Sequence, residues 1–483
     1  MKKILIFIIG ISLFSCQDAI DIEQAGELTE DVAIENVTDM QNNLNFVYSA
    51  VNNSTQISLS SIWTDEVGIG FANGGQGLDG DYLFQMNAGS NFASGIWNSS
   101  YDLINFANRL IKSSESISPE EGEEEQAYLN ILAQARALRA WAHFQLLTYF
   151  SEDITDDNSA GVLLVDFVPK TNDNLPRSST GEVFDFIIKD LDFAETNLSE
   201  TMTNPIYLSQ DFITAFRARM ALYRENYTEA QGYAQQLIDQ IPLSQPSTYR
   251  DIWRDEAAGE VIFKLERTTN DGRIASLWQS VSNRIDGSSF YEVGRALFNL
   301  LDENDVRYDV LIGDESIVDP TYFASNNYLE SDILLINKYP GSEGLNRLND
   351  LKIFRVSEMY FIKAEAQINN ENLSEAASTI QEIREARYTS NTPSLPSYSN
   401  STEAWADLLE ERRIELAFEG HRYIDLRRIG PKANVTVDRD PKDCDFSGIC
   451  SIPNNDYRFI LPIPATEIQA NDELSQDDQN PGY

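Results

Sequence analysis

Residues 404–430, AWADLLEERRIELAFEGHRYIDLRRIG, decide the fold of this chain. Apolar side chains recur three and four positions apart through the stretch, which is the spacing of helices with a buried face. Gly420 divides the run and can end the first of two helices. Basic and acidic residues are mixed along it: Arg412, Arg413, Arg422, Arg427 and Arg428 with Glu410, Glu411, Glu415, Glu419 and Asp425. Some of these can pair along one helix. We predict a helix pair whose arginines bind carboxylates bidentately at a partly buried seam.

The composition limits the class of protein. The chain has 483 residues, of which 42% are hydrophobic, and this is enough for a large packed core. Its 36 basic and 77 acidic residues give a formal net charge of −41, spread along the chain rather than gathered in one tail. Such a surface repels nucleic acid, so the charge argues against a DNA- or RNA-binding role.

The N-terminus has the features of an export signal. An apolar run over residues 4–14 follows two lysines and is too short to span a bilayer. LFSC, residues 13–16, resembles a bacterial lipobox, in which Cys16 becomes the lipidated first residue of the mature chain. We expect residues 1–15 to be a signal peptide and residues 16–35 a lipidated, acidic tether. An ordinary signal peptide with an incidental cysteine is the alternative.

Helical spacing continues through much of the remaining sequence, starting with a helix predicted over residues 36–53. Two predicted helix pairs, 209–240 and 357–387, each have a short polar turn and alanines at the crossing, as tetratricopeptide-like pairs require. Between the helices lie glycine-, serine- and asparagine-rich stretches. We predict a mainly α fold: a tetratricopeptide-like helical scaffold with loop-rich insertions at about 54–95 and 245–350 and a few short strands, such as 260–267.

Few residues suggest chemistry. The two histidines, His143 and His421, are expected to be packed or structurally hydrogen-bonded, and no catalytic, phosphate-binding or dinucleotide motif is present. Abundant carboxylates leave a glycosidase pair possible, but none is singled out. DENDVRYD, residues 302–309, lacks the ligand spacing of a helix–loop–helix calcium site, so a salt bridge is favoured there. We predict no cofactor and no metal ion.

Two cysteines near the C-terminus enclose a short loop. Cys444 and Cys450 flank DFSGI, and in an oxidising compartment they can form a disulfide. Two free thiols are the alternative. A zinc site is disfavoured because neither the CxxC spacing nor a nearby histidine is present.

Aromatic residues in the loops are the candidate ligand contacts. Sugar rings stack their CH faces on flat aromatic rings, while amides and charged groups bind hydroxyls. If the scaffold brings the two insertions together, Trp63 and Trp278 can line one groove. Core packing is the alternative for every candidate, and the helical positions of Trp97 and Tyr101 favour packing there. The candidate set is Trp63, Phe71, Tyr82, Trp97, Asn98, Tyr101, Trp278 and Tyr291.

Three motifs carry a resemblance to a known family. ERRIELAFEGHRYIDLRRIG (411–430) resembles the C-terminal signature of the SusD/RagB family of nutrient-binding outer-membrane lipoproteins of Bacteroidota. YRFILPIPATEIQANDELSQDDQNPGY (457–483) is similar to that family's "LPIP…EI…N…L.QNPGY" ending. IFRVSEMYFIKAEA (353–366) resembles its "RLAEVYLIRAEA" helix. The three motifs occur in the family's order, and the resemblance spans essentially the whole mature chain.

The resemblance implies a fold and a function. It implies one SusD-like domain over residues 36–483 and a non-catalytic lipoprotein, lipid-anchored on the cell surface. Such a protein captures an oligosaccharide and delivers it to a SusC-like TonB-dependent outer-membrane transporter. Capture of a peptide, as in some relatives, is the main alternative; a secreted glycan hydrolase and a purely structural surface protein are the others.

Overall fold

The fold is taken from a computed structural model. It describes residues 34–71, 73, 75, 80–170, 172–198, 204–279, 289–318, 332–342 and 344–483. The predicted signal peptide, Cys16 and nearly all of the predicted tether lie outside these residues. Among the described residues, no helix combines the length and apolar character needed to cross a membrane.

Helices make up the scaffold, and short strands occur in pairs between them. The helices are α1 Val37–Ala50, α2 Ser54–Trp63, α3 Asn91–Ser114, α4 Glu123–Phe150, α5 Thr180–Asn197, α6 Gln210–Tyr223, α7 Tyr227–Gln240, α8 Pro246–Trp253, α9 Arg295–Phe298, α10 Val306–Leu311, α11 Val356–Asn369, α12 Leu373–Arg387, α13 Ser401–Glu415, α14 Arg422–Arg428, α15 Gly430–Ala433, α16 Pro441–Cys444 and α17 Ala465–Ala470. The strands are β1 Val67–Ile69, β2 Val261–Leu265, β3 Tyr291–Val293, β4 Gly341–Ser342, β5 Leu345–Asn346, β6 Leu351–Arg355, β7 Val437–Asp438 and β8 Ser451–Ile452. They pair antiparallel as β1–β3, β2–β6, β4–β5 and β7–β8. The mainly α fold class is therefore confirmed.

The core is centred on α4. Three glutamates in its first turn stabilise the helix, because their negative charges lie at the positive end of the helix dipole. From Ile131 onward almost every side chain is buried, because α4 packs against α1, α3 and α5. His143 belongs to this buried part: its Nδ1 lies 3.0 Å from the Arg139 carbonyl oxygen, and burial lowers its pKa to about 3. The expectation of a packed histidine is confirmed at this position.

The two predicted tetratricopeptide-like pairs are α6–α7 and α11–α12. Both turns use the same backbone conformation, because Glu225 and Glu371 each have φ near +60°. The alanines expected at the crossings, such as Ala234 and Ala376, are fully buried. The pairs pack against each other through α7 and α11. The repeat recognised in the sequence is therefore a structural repeat.

One part of the predicted insertion at 54–95 is wrong, because residues Ser54–Trp63 form α2. Four serines and a threonine give this segment low intrinsic helix propensity. Every residue from Gln56 to Trp63 is nevertheless buried, so tertiary packing determines its conformation. The segment supports the core, and residues 64–70 after it are buried as well, so the surface part of this insertion starts only at Phe71.

The arginine-rich stretch forms the expected seam between α13 and α14. Arg412 donates two hydrogen bonds to Asp425, at 2.8 and 2.7 Å. Arg422 binds Asp65 in the same bidentate way, at 2.8 and 2.9 Å. Gly420 has φ +92° in the connecting turn, a conformation that strains other residues. The prediction of bidentate pairs is confirmed, although their partners lie across the fold rather than along one helix.

A larger set of buried charges, here called the central charge cluster, lies beside this seam. It consists of Glu260, Lys338, Arg355, Arg387, Glu415 and Glu419. Three carboxylates therefore face three cations, and all six side chains are buried. They come from five separate segments of the chain, because Glu415 and Glu419 share one. The cluster joins the helix pairs, the β2–β6 strands and the second insertion at one point.

The salt bridge favoured in DENDVRYD is confirmed. Arg307 Nε donates to both carboxylate oxygens of Asp305, at 3.0 and 2.9 Å. The same guanidinium reaches Glu411 at 2.6 Å and Glu415 at 3.3 Å. This pair therefore extends the buried charges from the second insertion to α13.

Glu66 should make stability depend on pH. Its Oε1 accepts from the Phe418 N–H at 3.1 Å, while Oε2 has no hydrogen-bond partner among the described residues. Burial raises the pKa of Glu66 from 4.5 to about 8. As pH rises from 4.5 to 8, the unfolded chain releases this proton and the folded chain keeps it, so the free energy of unfolding falls.

Glu66→Gln should remove this contribution. We expect the variant to gain stability relative to the wild-type chain as pH rises from 5 to 8 in urea denaturation. Glu385→Gln, the same chemical change at an exposed position of α12, is the control and should follow the wild-type profile. Parallel pH profiles for the wild type and Glu66→Gln would contradict the assignment.

Candidate functional site

The two loop-rich insertions meet at the β1–β3 ladder. Val67 pairs with Val293, and Ile69 pairs with Tyr291. Gly70 extends the contact, since its N–H donates to the Phe290 carbonyl at 2.9 Å. A Cβ at Gly70 would lie 2.5 Å from the Ser289 carbonyl oxygen, so the close approach requires glycine. Residues more than 200 positions apart are thus held side by side.

Glu292 fastens the ladder to the neighbouring loops. Its Oε1 accepts from the Phe71 N–H at 2.9 Å, and its Oε2 accepts from the Leu334 N–H at 3.0 Å. The side chain is buried, and burial raises the pKa of Glu292 to about 7. A buried carboxyl that binds two backbone amides fixes where the first insertion leaves the ladder.

A third segment, the cystine loop of residues 444–450, lies over the ladder. Cys444 and Cys450 are joined by a disulfide. Phe446, at the exposed side of this loop, is 49% exposed and lies nearly parallel to Tyr82, with ring centroids 6.1 Å apart. Tyr82 is fully buried and donates from its hydroxyl to the Asp443 carbonyl at 2.8 Å. The loop therefore presents one aromatic ring on a fixed aromatic support.

Arg295 anchors the cystine loop to the second insertion. Its backbone N–H donates to Asp443 Oδ2 at 2.8 Å, and its guanidinium pairs with Asp443 and Asp332. Burial alone would lower the pKa of Arg295, but the two carboxylates outweigh it and raise that pKa above its ordinary value. Gly68 lies against the same carboxylate, and a Cβ there would be 2.3 Å from Asp443 Oδ1.

We call the surface at this junction the insertion face. Phe71, Phe446 and Ile449 form its accessible part, and the buried Asn73, Tyr82 and Tyr291 support them. Ile449 is exposed like Phe446, whereas Phe71 is half-buried. Asn73 is buried and donates to the Phe290 carbonyl at 2.8 Å. An exposed ring beside backbone and carboxylate groups can stack on an apolar face of a ligand and bind its hydroxyls.

Comparison with known proteins identifies the family that has this architecture. A sequence model of the SusD family matches residues 267–483. A second model, described as starch-binding and associating with the outer membrane, matches residues 20–222. The chain belongs to the SusD family.

Relatives of this SusD-family protein match along its whole length. SusD-like protein P2 of Formosa agariphila is 24% identical over 530 aligned positions, covering 100% of this chain and 99% of that protein. A SusD superfamily crystal structure from Bacteroides thetaiotaomicron has a TM-score of 0.76 at 24% identity, over 92% of this chain and 100% of that one. A laminarin-binding SusD-like protein has a TM-score of 0.66 at 20% identity, over 93% and 100%. These structures share the fold of this SusD-family chain.

The two indoles expected in a groove lie in the core instead. Trp63 is fully buried and makes edge contacts with the rings of Phe84, Tyr423 and Phe459. Trp278 is also fully buried, and its Nε1 donates to Ser61 Oγ at 2.9 Å. The insertions do meet, as expected, but the tryptophans lie beneath the meeting point. The expectation of exposed indoles is therefore corrected, because α2 is a core helix.

Three candidates on α3 lie apart from the insertion face. Trp97 is buried, and its Nε1 donates to Glu467 Oε2 at 3.2 Å. The Tyr101 hydroxyl donates to the Leu163 carbonyl at 2.9 Å. Both residues therefore pack, as their helical positions favoured. Asn98 is exposed on the same helix, and no described contact links it to the insertion face.

The remaining candidates are brought together, but mostly as a support. Tyr82 and Tyr291 are buried with ring centroids 6.0 Å apart, and Phe71 follows the same ladder. The exposed ring that they support, Phe446, was not among the candidates. Its position inside a short loop between two cysteines, next to Ser447 and Gly448, was the available signal.

Proposed function

We propose that this SusD-family chain binds an oligosaccharide on the insertion face. The observation that supports this most directly is the exposed Phe446 ring, held over Tyr82 where the two insertions meet. A flat ring fixed in this way loses little conformational freedom when a sugar stacks on it. The exposed carboxylate of Asp445 is next to it in the loop and can accept hydrogen bonds from sugar hydroxyls.

The ligand would then be passed to a SusC-like TonB-dependent transporter in the outer membrane. In this proposal residues 1–15 direct export, Cys16 carries the lipid, and residues 16–35 tether one SusD-like domain, residues 36–483, to the cell surface. A lipid tether raises the local concentration beside the transporter, so weak contacts suffice to hold the two proteins together. The match to a family model described as associating with the outer membrane supports this location.

The chain would release its ligand chemically unchanged. Its buried carboxylates are mostly committed to arginines: Asp65 pairs with Arg422, and Glu415 pairs with Arg355 and Arg387. Carboxylates paired with arginines are poor general acids, because proton donation requires a raised pKa. Glu66 and Glu292 do have raised pKa values, but both are buried and accept hydrogen bonds from backbone N–H groups. Chromatography of a saccharide after prolonged incubation with pure protein should return it intact.

Phe446→Ala tests the proposed site. We expect the dissociation constant for a bound glucan to rise several-fold, since an aromatic stack contributes ~0.5–1.5 kcal/mol beyond its buried area. Isothermal titration with laminarin and with soluble starch would measure it. Phe167→Ala, at a partly exposed phenylalanine before α5, is the matched control and should bind normally.

Two outcomes would contradict this proposal. Unchanged affinity in a folded Phe446→Ala variant would remove the insertion face as the site. Binding to a peptide panel without binding to any glycan would move the protein to peptide capture.

A further inference from the structure

A groove outside the insertion face has the chemistry of a sugar site. It is a cavity of about 430 Å³ between α1, residues 204–208 and the segment that follows β2. Ligand clefts in proteins commonly fall between ~300 and 1,000 Å³. We call it the Tyr207 groove, and it shares no lining residue with the insertion face. Its polar and aromatic lining includes Asn45, Tyr48, Tyr207, Arg267, Asn270 and Asp271.

Tyr207 provides an exposed ring with a fixed support. It is 45% exposed, and its ring stands perpendicular to that of Tyr48 with centroids 5.7 Å apart. The Tyr48 hydroxyl is held at both sides, since it donates to Gln134 Oε1 at 2.6 Å and accepts from the Leu208 N–H at 2.9 Å. The backbone beside Tyr207 is therefore tied to Tyr48, which positions the exposed ring in the groove wall.

Arg267 provides hydrogen-bond donors that the described residues leave largely unused. Its Nη2 donates to Asn52 Oδ1 at 3.1 Å, whereas its Nη1 lies 3.9 Å from Asp271 Oδ1, beyond hydrogen-bond distance. Its Nε also has no hydrogen-bond partner in the described part of the chain, but it is closed to solvent, so only the two terminal nitrogens can face a ligand. Because a guanidinium has five N–H groups, this side chain has donors available for a ligand.

The local charge selects the class of ligand. Glu266 and Asp271 line the groove together with Arg267, so its carboxylates outnumber its cations. In a chain with a net charge of −41, this groove does not favour anions. A neutral molecule with hydroxyl groups and an apolar face matches the exposed ring, the amides and the guanidinium. We infer that the Tyr207 groove is a second binding site for a neutral oligosaccharide.

The consequence of two sites is stronger retention of a long glycan. A chain that bridges both sites gains an effective concentration at the second, whereas a short saccharide occupies one site at a time. Loss of the Tyr207 ring should therefore weaken binding of a polymer more than binding of a hexasaccharide.

Affinity electrophoresis of the full-length chain in gels containing laminarin or soluble starch tests the inference. We expect Tyr207→Ala to be retarded several-fold less than the wild type by the glucan that binds. Tyr207→Phe keeps the ring and should behave as the wild type. Adding Tyr207→Ala to Phe446→Ala should remove the retardation that remains in the single Phe446→Ala variant.

The outcomes separate this site from the insertion face. If Tyr207→Ala is retarded as much as the wild type while Phe446→Ala is retarded less, the Tyr207 groove is not a binding site and the proposed function stands. A defect in Tyr207→Ala alone would support the groove and move the main site there. Absence of retardation of the wild-type chain by both glucans would overturn the groove as a site for neutral glucans.

Discussion

Glu415→Gln should lower the free energy of unfolding by ~3–5 kcal/mol, the loss expected when one partner of a buried charge pair is removed. Glu415 is fully buried and accepts from Arg355 at 2.8 Å and from Arg387 at 3.0 Å. Burial alone would raise the pKa of Glu415, but the two arginines hold it well below its ordinary value. Without this carboxylate, the central charge cluster has three cations and two anions in a site closed to water.

Urea and thermal denaturation would measure the loss. Glu410→Gln is the matched control, because it makes the same chemical change on an exposed position of the same helix and should cost less than about 0.5 kcal/mol. Glucan affinity of the folded Glu415→Gln protein should stay near the wild-type value, since the cluster is not part of the insertion face. Equal stability of the two variants would show that the cluster does not hold the scaffold together.

The sequence predicted the scaffold well because its signals are local. Helical spacing, alanine crossings and short polar turns identify α6–α7 and α11–α12 without knowledge of the rest of the chain. The seam of α13 and α14 could also be predicted, since many arginines and carboxylates in one apolar stretch must pair when buried. Gly420 correctly marked the turn between them.

The partners of the arginines could not be predicted in the same way. Arg422 binds Asp65, 357 positions away, and Arg295 binds Asp443, 148 positions away. Nothing near these arginines in the sequence indicates which distant carboxylate they bind. The partner of Arg412 is nearer, but it lies on the next helix rather than one turn away.

The candidate site shows that local composition does not predict which aromatic residues are exposed. Tryptophans in polar, serine-rich segments suggested exposed stacking platforms, yet Trp63 and Trp278 are core residues. Large aromatic rings bury the most apolar area, so a folded chain places them inside wherever a segment can reach the core. Phe446 stays exposed because the short cystine loop holds it above Tyr82, which already fills the space below.

Arg295→Ala should reduce both stability and glucan binding, and this combination distinguishes it from Glu415→Gln. Arg295 is fully buried, and its removal leaves Asp332 and Asp443 without their shared cation, at a cost of ~3–5 kcal/mol. Asp443 directly precedes the cystine loop, so its release should also misplace Phe446. Arg250→Ala removes an arginine from an exposed pair and should cost at most about 1 kcal/mol with normal binding.

Denaturation and glucan titration of both variants, at a temperature where both are folded, would test this link. Asp443→Asn offers a milder change of the same pair if Arg295→Ala does not fold. We expect either change to weaken binding several-fold, because the support of the Phe446 ring depends on the position of the cystine loop. A large loss of stability with unchanged affinity would mean that Arg295 only holds the insertions together and that the ligand does not bind beside the loop.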